Sequence, residues 1–324
     1  MSDGPDLDPI DDLLDVLDLS WEGPTTIHAA APEGLSIDLG AVAGDVFRGR
    51  SQPQPHGRAF GGQVLAQSVI AAGRTVEPDE SGLERAIHSM HAYFLRPGDD
   101  KQSIEFVVER MRDGRSFSAR RVHAMQEGRI LLSMTASFQE PAQGLEHDLP
   151  MPSAPDPETL RSDREVLAKI DHPVAQHRAH RQAVDVRHVE RLLLGPAEPG
   201  PAEQAVWMKV QQDLPDDDLL HAAVLAYASD YVLLEPILRR HGIGWADPRL
   251  RPASLDHAMW FHRPARADQW LLYTQSSPSA GSGRGLGLGH MFATDGRLLA
   301  TVAQEGMVRM KGAAPSPQVR AEVP

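Results

Sequence analysis

Gln304 is the side chain whose type and setting ask most directly for chemistry. In the last strand expected along the chain, Leu298, Ala300, Val302, Gln304, Gly306 and Val308 share one face, because successive strand residues point to opposite sides. That face is apolar but for the amide, so it should turn inward. A buried amide without partners costs on the order of 1–3 kcal/mol. Gln304 therefore either satisfies neighbouring backbone or holds something that enters. Asp230 poses a similar question. It ends a helical stretch whose Ala223 and Ala226 let a helix lie close to a sheet, beside Leu220, Val224, Tyr227 and Tyr231. A carboxylate partly desolvated there has its pKa pushed upward; a solvated Asp at the helix edge is the plain alternative. Ser254 follows Pro252 and Ala253 at a strand start, where its hydroxyl either closes a turn or serves as both donor and acceptor.

Comparing the chain with itself singles out these three. Val64-Leu65-Ala66-Gln67-Ser68 matches Val224-Leu225-Ala226-Tyr227-Ala228, 160 positions on. Tyr93-Phe94-Leu95-Arg96-Pro97 matches Trp260-Phe261-His262-Arg263-Pro264 at 167, and Gly128-Arg129-Ile130-Leu131 matches Gly296-Arg297-Leu298-Leu299 at 168. Three anchors in one order and nearly one spacing read as a duplicated unit. In this alignment Asp230 faces Ile70, Ser254 faces Ile87 and Gln304 faces Ala136, so one repeat carries polar groups where the other is apolar.

Other chemistries lack their parts. The chain has no cysteine, which removes disulfides, thiolate nucleophiles and cysteine metal sites. No G-x-S-x-G elbow, phosphate-binding loop or H-E-x-x-H helix occurs. His88 with His91, or His257 with His262, give no closed tetrahedral set, so they read as polar or packed histidines and no metal or other cofactor is expected. Gly281, Gly283, Gly285, Gly287 and Gly289 leave one face of a strand bare. Glycine weakens a strand, so another group should come close there: the central helix packed tightly, or a ligand. Arg284 points the other way.

The elements that must position these groups follow from periodicity. Ile10, Leu13, Leu14 and Leu17 predict a short helix over 8–18, and 19–42 reads as loop. A strand near 46–50 and a helix over 62–75 precede strands at 86–96, 103–111, 116–126 and 129–139, with turns at Asp113-Gly114 and Glu127-Gly128. Residues 140–182, rich in Pro, Asp, His and Arg, read as a linker with one helix around 157–171. Strands at 183–190 and 204–211, a helix over 217–234 and strands at 254–263, 269–276, 282–293 and 297–309 complete the repeat. The expected division is an extension 1–42, a repeat 43–142, a linker 143–182, a second repeat 183–312 that holds the polar cluster, and a tail 313–324. One helix cannot cover both faces of a sheet, but two such units can bury their remaining surface against each other.

With 324 residues and a net charge of −13, the chain has room for two domains and lacks the cationic excess of a general nucleic-acid binder. No apolar run approaches the ~20 residues of a membrane span. The N-terminus is acidic, unlike a signal peptide, and the end lacks a Ser-Lys-Leu address. A cytoplasmic protein is expected.

Phe60-Gly61-Gly62-Gln63-Val64, His91-Ala92-Tyr93-Phe94-Leu95-Arg96-Pro97-Gly98, Arg112-Asp113-Gly114-Arg115-Ser116-Phe117-Ser118-Ala119-Arg120-Arg121-Val122 and Met134-Thr135-Ala136-Ser137-Phe138-Gln139 resemble the acyl-CoA thioesterase II family. So do Leu225-Ala226-Tyr227-Ala228-Ser229-Asp230, Leu255-Asp256-His257-Ala258-Met259-Trp260-Phe261-His262-Arg263-Pro264 and Gln304-Glu305-Gly306. The resemblance covers most of 45–140 and 183–310. It implies an α+β double hot-dog fold, two tandem repeats each with a long helix wrapped by an antiparallel sheet, and hydrolysis of acyl-CoA to free acid and CoA. It places the family's Asp, hydroxyl and Gln cluster on Asp230, Ser254 and Gln304, the positions the repeat comparison singles out. A family member carries threonine where this chain has Ser254; serine is freer about χ1, which bears on rate more than on role. On this reading Asp230 takes a proton from water or orients it, Ser254 and Gln304 hold that water, and a backbone N–H at a helix start or beside a glycine polarises the carbonyl. Attack by Asp230 itself is an open alternative. A hot-dog hydratase or dehydratase, and a non-catalytic acyl-CoA-binding protein, are the competing functions. Acyl-CoA is the expected partner, its phosphates meeting surface arginines, and pairing of edge strands between copies would make a homo-oligomer.

Overall fold

The computed structural model describes residues 8–28, 41–78 and 82–312; the expected tail 313–324 and parts of the extension lie outside them. Helix α1 (Pro9–Leu17) starts at Asp8, whose carboxylate accepts from the Ile10 N–H at 2.9 Å. It buries Ile10, Leu13, Val16 and Leu17. The stretch expected as loop contains a strand, β1 (Ser20–His28), paired antiparallel with β2 (Ala41–Gly49). Gly23 and Pro24 hide its alternation, and proline is tolerated because β1 is an edge.

In the first repeat, β2 leads to α2 (Gly61–Gly73), β3 (Ala86–Phe94), β4 (Ile104–Asp113), β5 (Phe117–Gln126) and β6 (Arg129–Gln139). The linker is not bare tether: it holds a 3-10 turn (Pro157–Thr159) and two short helices, α3 (Asp163–Leu167) and α4 (Pro173–Arg181), in place of one helix. The second repeat runs β7 (Val184–His188), β8 (Glu203–Val210), α5 (Asp218–Ser229), α6 (Glu235–Arg240), β9 (Leu250–Ser254), β10 (Asp256–Phe261), β11 (Leu271–Gly281), β12 (Arg284–Ala293) and β13 (Leu298–Met310).

The two halves share one strand order. It is β2-β4-β5-β6-β3 in the first and β8-β11-β12-β13-β10 in the second, with β1 and β7 outermost. Antiparallel pairing of β3 with β10 fuses them into one continuous sheet. At that seam His91 pairs with Ala258, its own counterpart at the 167-residue offset, so a pseudo-two-fold axis passes between them. Helices α2 and α5 pack on each other in one apolar core shared by both halves. Their approach needs glycine: a Cβ on Gly62 would lie 2.4 Å from the Tyr227 carbonyl oxygen.

Candidate active site

Asp230 stands where α5 stops. The apolar residues after it invite a helix to 234, yet α5 ends at Ser229 with Asp230 as its C-cap, and a turn leads into α6. Tertiary contacts set that break. A Cβ on Gly287 would lie 2.4 Å from the Leu233 carbonyl oxygen, and one on Gly306 would lie 2.5 Å from the Leu234 side chain. The bare strand face therefore receives the segment after Asp230; Gly285 receives Ile237 and Gly289 receives Tyr273. Gly281 and Gly283 take no part in this, since Gly281 faces open space and Gly283 forms the β11–β12 turn at φ +73°. Ser254 is the last residue of β9, just before the chain kinks at Leu255 into β10. Gln304 points inward from β13, buried as its alternation predicts.

The fold brings the three side chains into direct contact. Ser254 Oγ donates to Asp230 Oδ1 at 3.2 Å, and Gln304 Nε2 donates to Ser254 Oγ at 2.7 Å. Burial pushes the Asp230 carboxyl up to about 6, against hydrogen bonds from Gln304, Ser254 and the Gly62 backbone that favour its ionised form. The Gly62 contact comes from the other repeat. Helix α2 has no side-chain cap, and its first turn faces Asp230 instead; a Cβ on Gly61 would lie 2.6 Å from Asp230 Oδ2. The carboxylate thus lies between the C-terminal end of α5, which disfavours negative charge, and the N-terminal end of α2, which favours it. Phe60 stacks on Tyr231 at 5.1 Å and meets Tyr227 edge-on at 5.2 Å, closing this corner.

Sequence reasoning located the polar cluster in the second repeat and missed that the first repeat completes its surroundings. Gly61 and Gly62 belong to a quoted motif, but only the packing of α2 against α5 shows which side chain they admit. It read His257 as a polar or packed histidine and did not connect it to the cluster. This histidine is fully buried, with Nδ1 2.5 Å from Gln304 Oε1 and Nε2 2.9 Å from Ser229 Oγ. The other paired histidines lie elsewhere: His88 bonds Ser137, His262 bonds Thr301 and His91 packs on Trp260. The pseudo-symmetric corner is closed: Asp217 caps α5 with its own carboxylate, and Leu219 fills the space beside Gly73. The repeats fold alike, but in place of an Asp, Ser and Gln set the end of α2 meets the buried Arg120, which donates to Thr75 and Asp113.

Two family models match the chain, an acyl-CoA thioesterase N-terminal domain over residues 50–139 and an acyl-CoA thioesterase model over 162–307. The chain is 38% identical to acyl-CoA thioesterase 2 of Haemophilus influenzae, over 82% of this chain and 92% of that one. The chain belongs to the acyl-CoA thioesterase family. It is also 36% identical to human acyl-coenzyme A thioesterase 8, over 85% of this chain and 88% of the relative. Among solved structures, an acyl-CoA thioesterase II from Mycobacterium marinum superposes with a TM-score of 0.70 at 40% identity, over 94% of this chain and all of that one. A hot-dog protein from Alicyclobacillus acidocaldarius superposes at 0.68 with 19% identity, over 94% and 98%, which speaks for the fold alone. The architecture is the double hot-dog α+β fold. Among the described residues no helix is long and apolar enough to cross a membrane.

Proposed function

We propose that this chain hydrolyses acyl-CoA thioesters to free acid and CoA, with Asp230 activating a water that Ser254 and Gln304 help to hold. The observation that carries the reading is the desolvated Asp230 carboxylate, bonded to Ser254 on one side and met by the first turn of α2 on the other. Water attacks the thioester carbonyl carbon as its proton passes to Asp230. The oxyanion that forms is stabilised by N–H groups and the positive end of α2. The C–S bond then breaks. A thiol pKa of ~8.5 lets CoA depart as thiolate, and Asp230 returns its proton to sulfur or solvent. The acyl chain would lie between α5 and the sheet, where Val224, Leu225, Ala228, Met208, Leu271 and Met291 line an apolar crevice of only about 10 Å³ that must widen to admit it.

A hydratase would need an acid and a base flanking the substrate's α and β carbons. The histidine nearest the cluster is His257, and both its ring nitrogens are already engaged beneath Gln304. The test is release of free thiol from acyl-CoAs of several lengths. Asp230→Asn should keep the fold and ester binding while turnover falls about 100-fold or more, as for loss of a general base; near-normal turnover defeats the assignment. Binding without thiol release by the unaltered protein would favour a sensor instead. Label in the Asp230 carboxyl after multiple turnovers in ¹⁸O water would reveal a nucleophile, because a general base never takes the water oxygen into its own carboxyl group.

A further inference from the structure

We propose that His257 is a positioning residue: it fixes which end of the Gln304 amide faces Ser254, and thereby the direction of the hydrogen bonds that reach Asp230. The inference rests on the reading of Asp230 as the water-activating group. A glutamine amide is nearly symmetric in shape but opposite in hydrogen-bonding character at its two ends, so something must choose its orientation. Gln304 Oε1 lies 2.5 Å from His257 Nδ1, and its Nε2 lies 2.7 Å from Ser254 Oγ. An amide oxygen only accepts, so Nδ1 must carry a proton. Burial lowers His257 to about 4, so near neutrality the ring has one proton to give, and Nε2 is bare. Nε2 is then free to accept from Ser229 Oγ, 2.9 Å away, in competition with the Ala226 carbonyl oxygen at 2.8 Å for the one hydroxyl proton. Every donor now points one way: Ser229 to His257, His257 to Gln304, Gln304 to Ser254, and Ser254 to Asp230.

The reversed chain is built from the same atoms. Ser229 Oγ also lies 2.8 Å from the Ala226 carbonyl oxygen. Were its proton given there, Nε2 would carry the ring proton and Nδ1 would accept from a flipped amide. Gln304 would then present its oxygen to Ser254, drawing the hydroxyl proton away from Asp230. The carboxylate would lose a donor to its charged form, and its pKa would rise. Placing the bare nitrogen toward Ser229 is what His257 contributes. The titratable groups facing Asp230 are Tyr231 on the following turn and Tyr273 on β11, both held neutral well above their usual range by burial. What acts on His257 is burial and Gln304 itself.

Two substitutions and one spectrum test this. His257→Leu removes the donor; kcat should fall about 10-fold or more with KM little changed, and the acid limb of the pH profile should move upward. His257→Asn can place an N–H where Nδ1 stood, and should restore most of the rate and return the acid limb. A merely structural histidine would move neither limb selectively nor be rescued by Asn. Leucine with an unmoved acid limb, or Asn no better than Leu in folded protein, overturns the proposal. Independently of activity, ¹⁵N NMR of the unaltered protein should show His257 as the neutral Nδ1–H tautomer at pH 7. The opposite tautomer, or a cation, also overturns it. If Asp230→Asn turns over normally, the catalytic reading fails, while the tautomer still reports whether the chain runs as described.

Discussion

Asp230 is held as a buried carboxylate against the preference of the fold. Its carboxyl is raised from 3.8 in the free residue to about 6 in the folded chain. A carboxyl that binds its proton more tightly when folded loses stability as pH rises through that interval. The cost is therefore absent below about pH 4 and complete above about pH 6. Asp230→Asn should stabilise the protein by about 3 kcal/mol at pH 8 and change nothing at pH 3.5. Melting temperatures of both proteins across that range check it, and a difference that persists at low pH would count against burial as the cause. If Asp230 is the base proposed above, kcat/KM should fall about tenfold per pH unit below about 6, the slope for one required base. At this scale the sequence was legible where one pattern carried the information. Gln304 interrupts an apolar strand face, and Asp230 and Ser254 stand against apolar counterparts in the other repeat. His257 was not legible, because its partners Gln304 and Ser229 lie 47 and 28 positions away and a lone histidine in a strand has no signature.

The element that aims Asp230 is the turn between α5 and α6, and it lies on bare backbone. A Cβ at Gly287 would come 2.4 Å from a backbone oxygen of that turn, which no side-chain rotation can relieve. Gly287→Ala should push Leu233 away and tilt the carboxylate. The expected result is a destabilisation of about 1–3 kcal/mol, typical of overpacking, with kcat falling more than binding of the ester weakens. Gly281→Ala, whose Cβ would meet nothing within 4 Å, is the control and should leave both unchanged. A fully active Gly287→Ala enzyme would mean that the turn does not set the geometry of Asp230. The alternating glycines announced a close approach but not which group makes it. Helix packing and a ligand wall fit the sequence equally, and the answer is the turn after the helix together with Tyr273. The end of α5 was misplaced for a related reason: Val232, Leu233 and Leu234 continue an apolar pattern that looks helical until the sheet beneath them is known. Strand β1 escaped notice because Gly23 and Pro24 break its period, and an edge strand has little alternation to lose.

At the scale of the whole molecule, duplication was legible from three anchors in register, and the common strand order of the halves follows from it. The fusion of both sheets at β3 and β10 was not, since pairing across the pseudo-axis leaves no local mark. Among the described strands the free edges are β1, which carries Pro24, and β7 and β9, each of five residues and the latter with Pro252, all poor templates for pairing between copies. The linker, expected to hold one helix, is fastened to the second repeat. Trp270 donates to Glu158 at 2.8 Å and Trp207 to the Pro155 carbonyl at 2.9 Å. Deeper in, His188 bridges Asp163 of α3 at 2.8 Å and Glu235 of α6 at 3.1 Å, all three buried. Burial works against the charged imidazole, but the two carboxylates prevail and raise it to about 9. A group whose folded pKa exceeds its unfolded value stabilises fully below the unfolded value, here 6.5, and loses that contribution as pH rises through the folded one. The melting temperature of the unaltered protein should therefore decline between about pH 7 and pH 9. In His188→Gln the cation is gone, so this decline should flatten. The variant should be destabilised by about 3–5 kcal/mol at pH 6, as when one partner of a buried ion cluster is removed, and the gap to the parent should narrow as pH rises through 9. Because the cation joins the linker to the helix that follows Asp230, limited proteolysis of the variant should cut first between 140 and 182. A pH dependence identical in variant and parent would place the alkaline loss of stability elsewhere. Cleavage beginning in the repeats would show that the linker is held by its tryptophan contacts and not by this charge cluster.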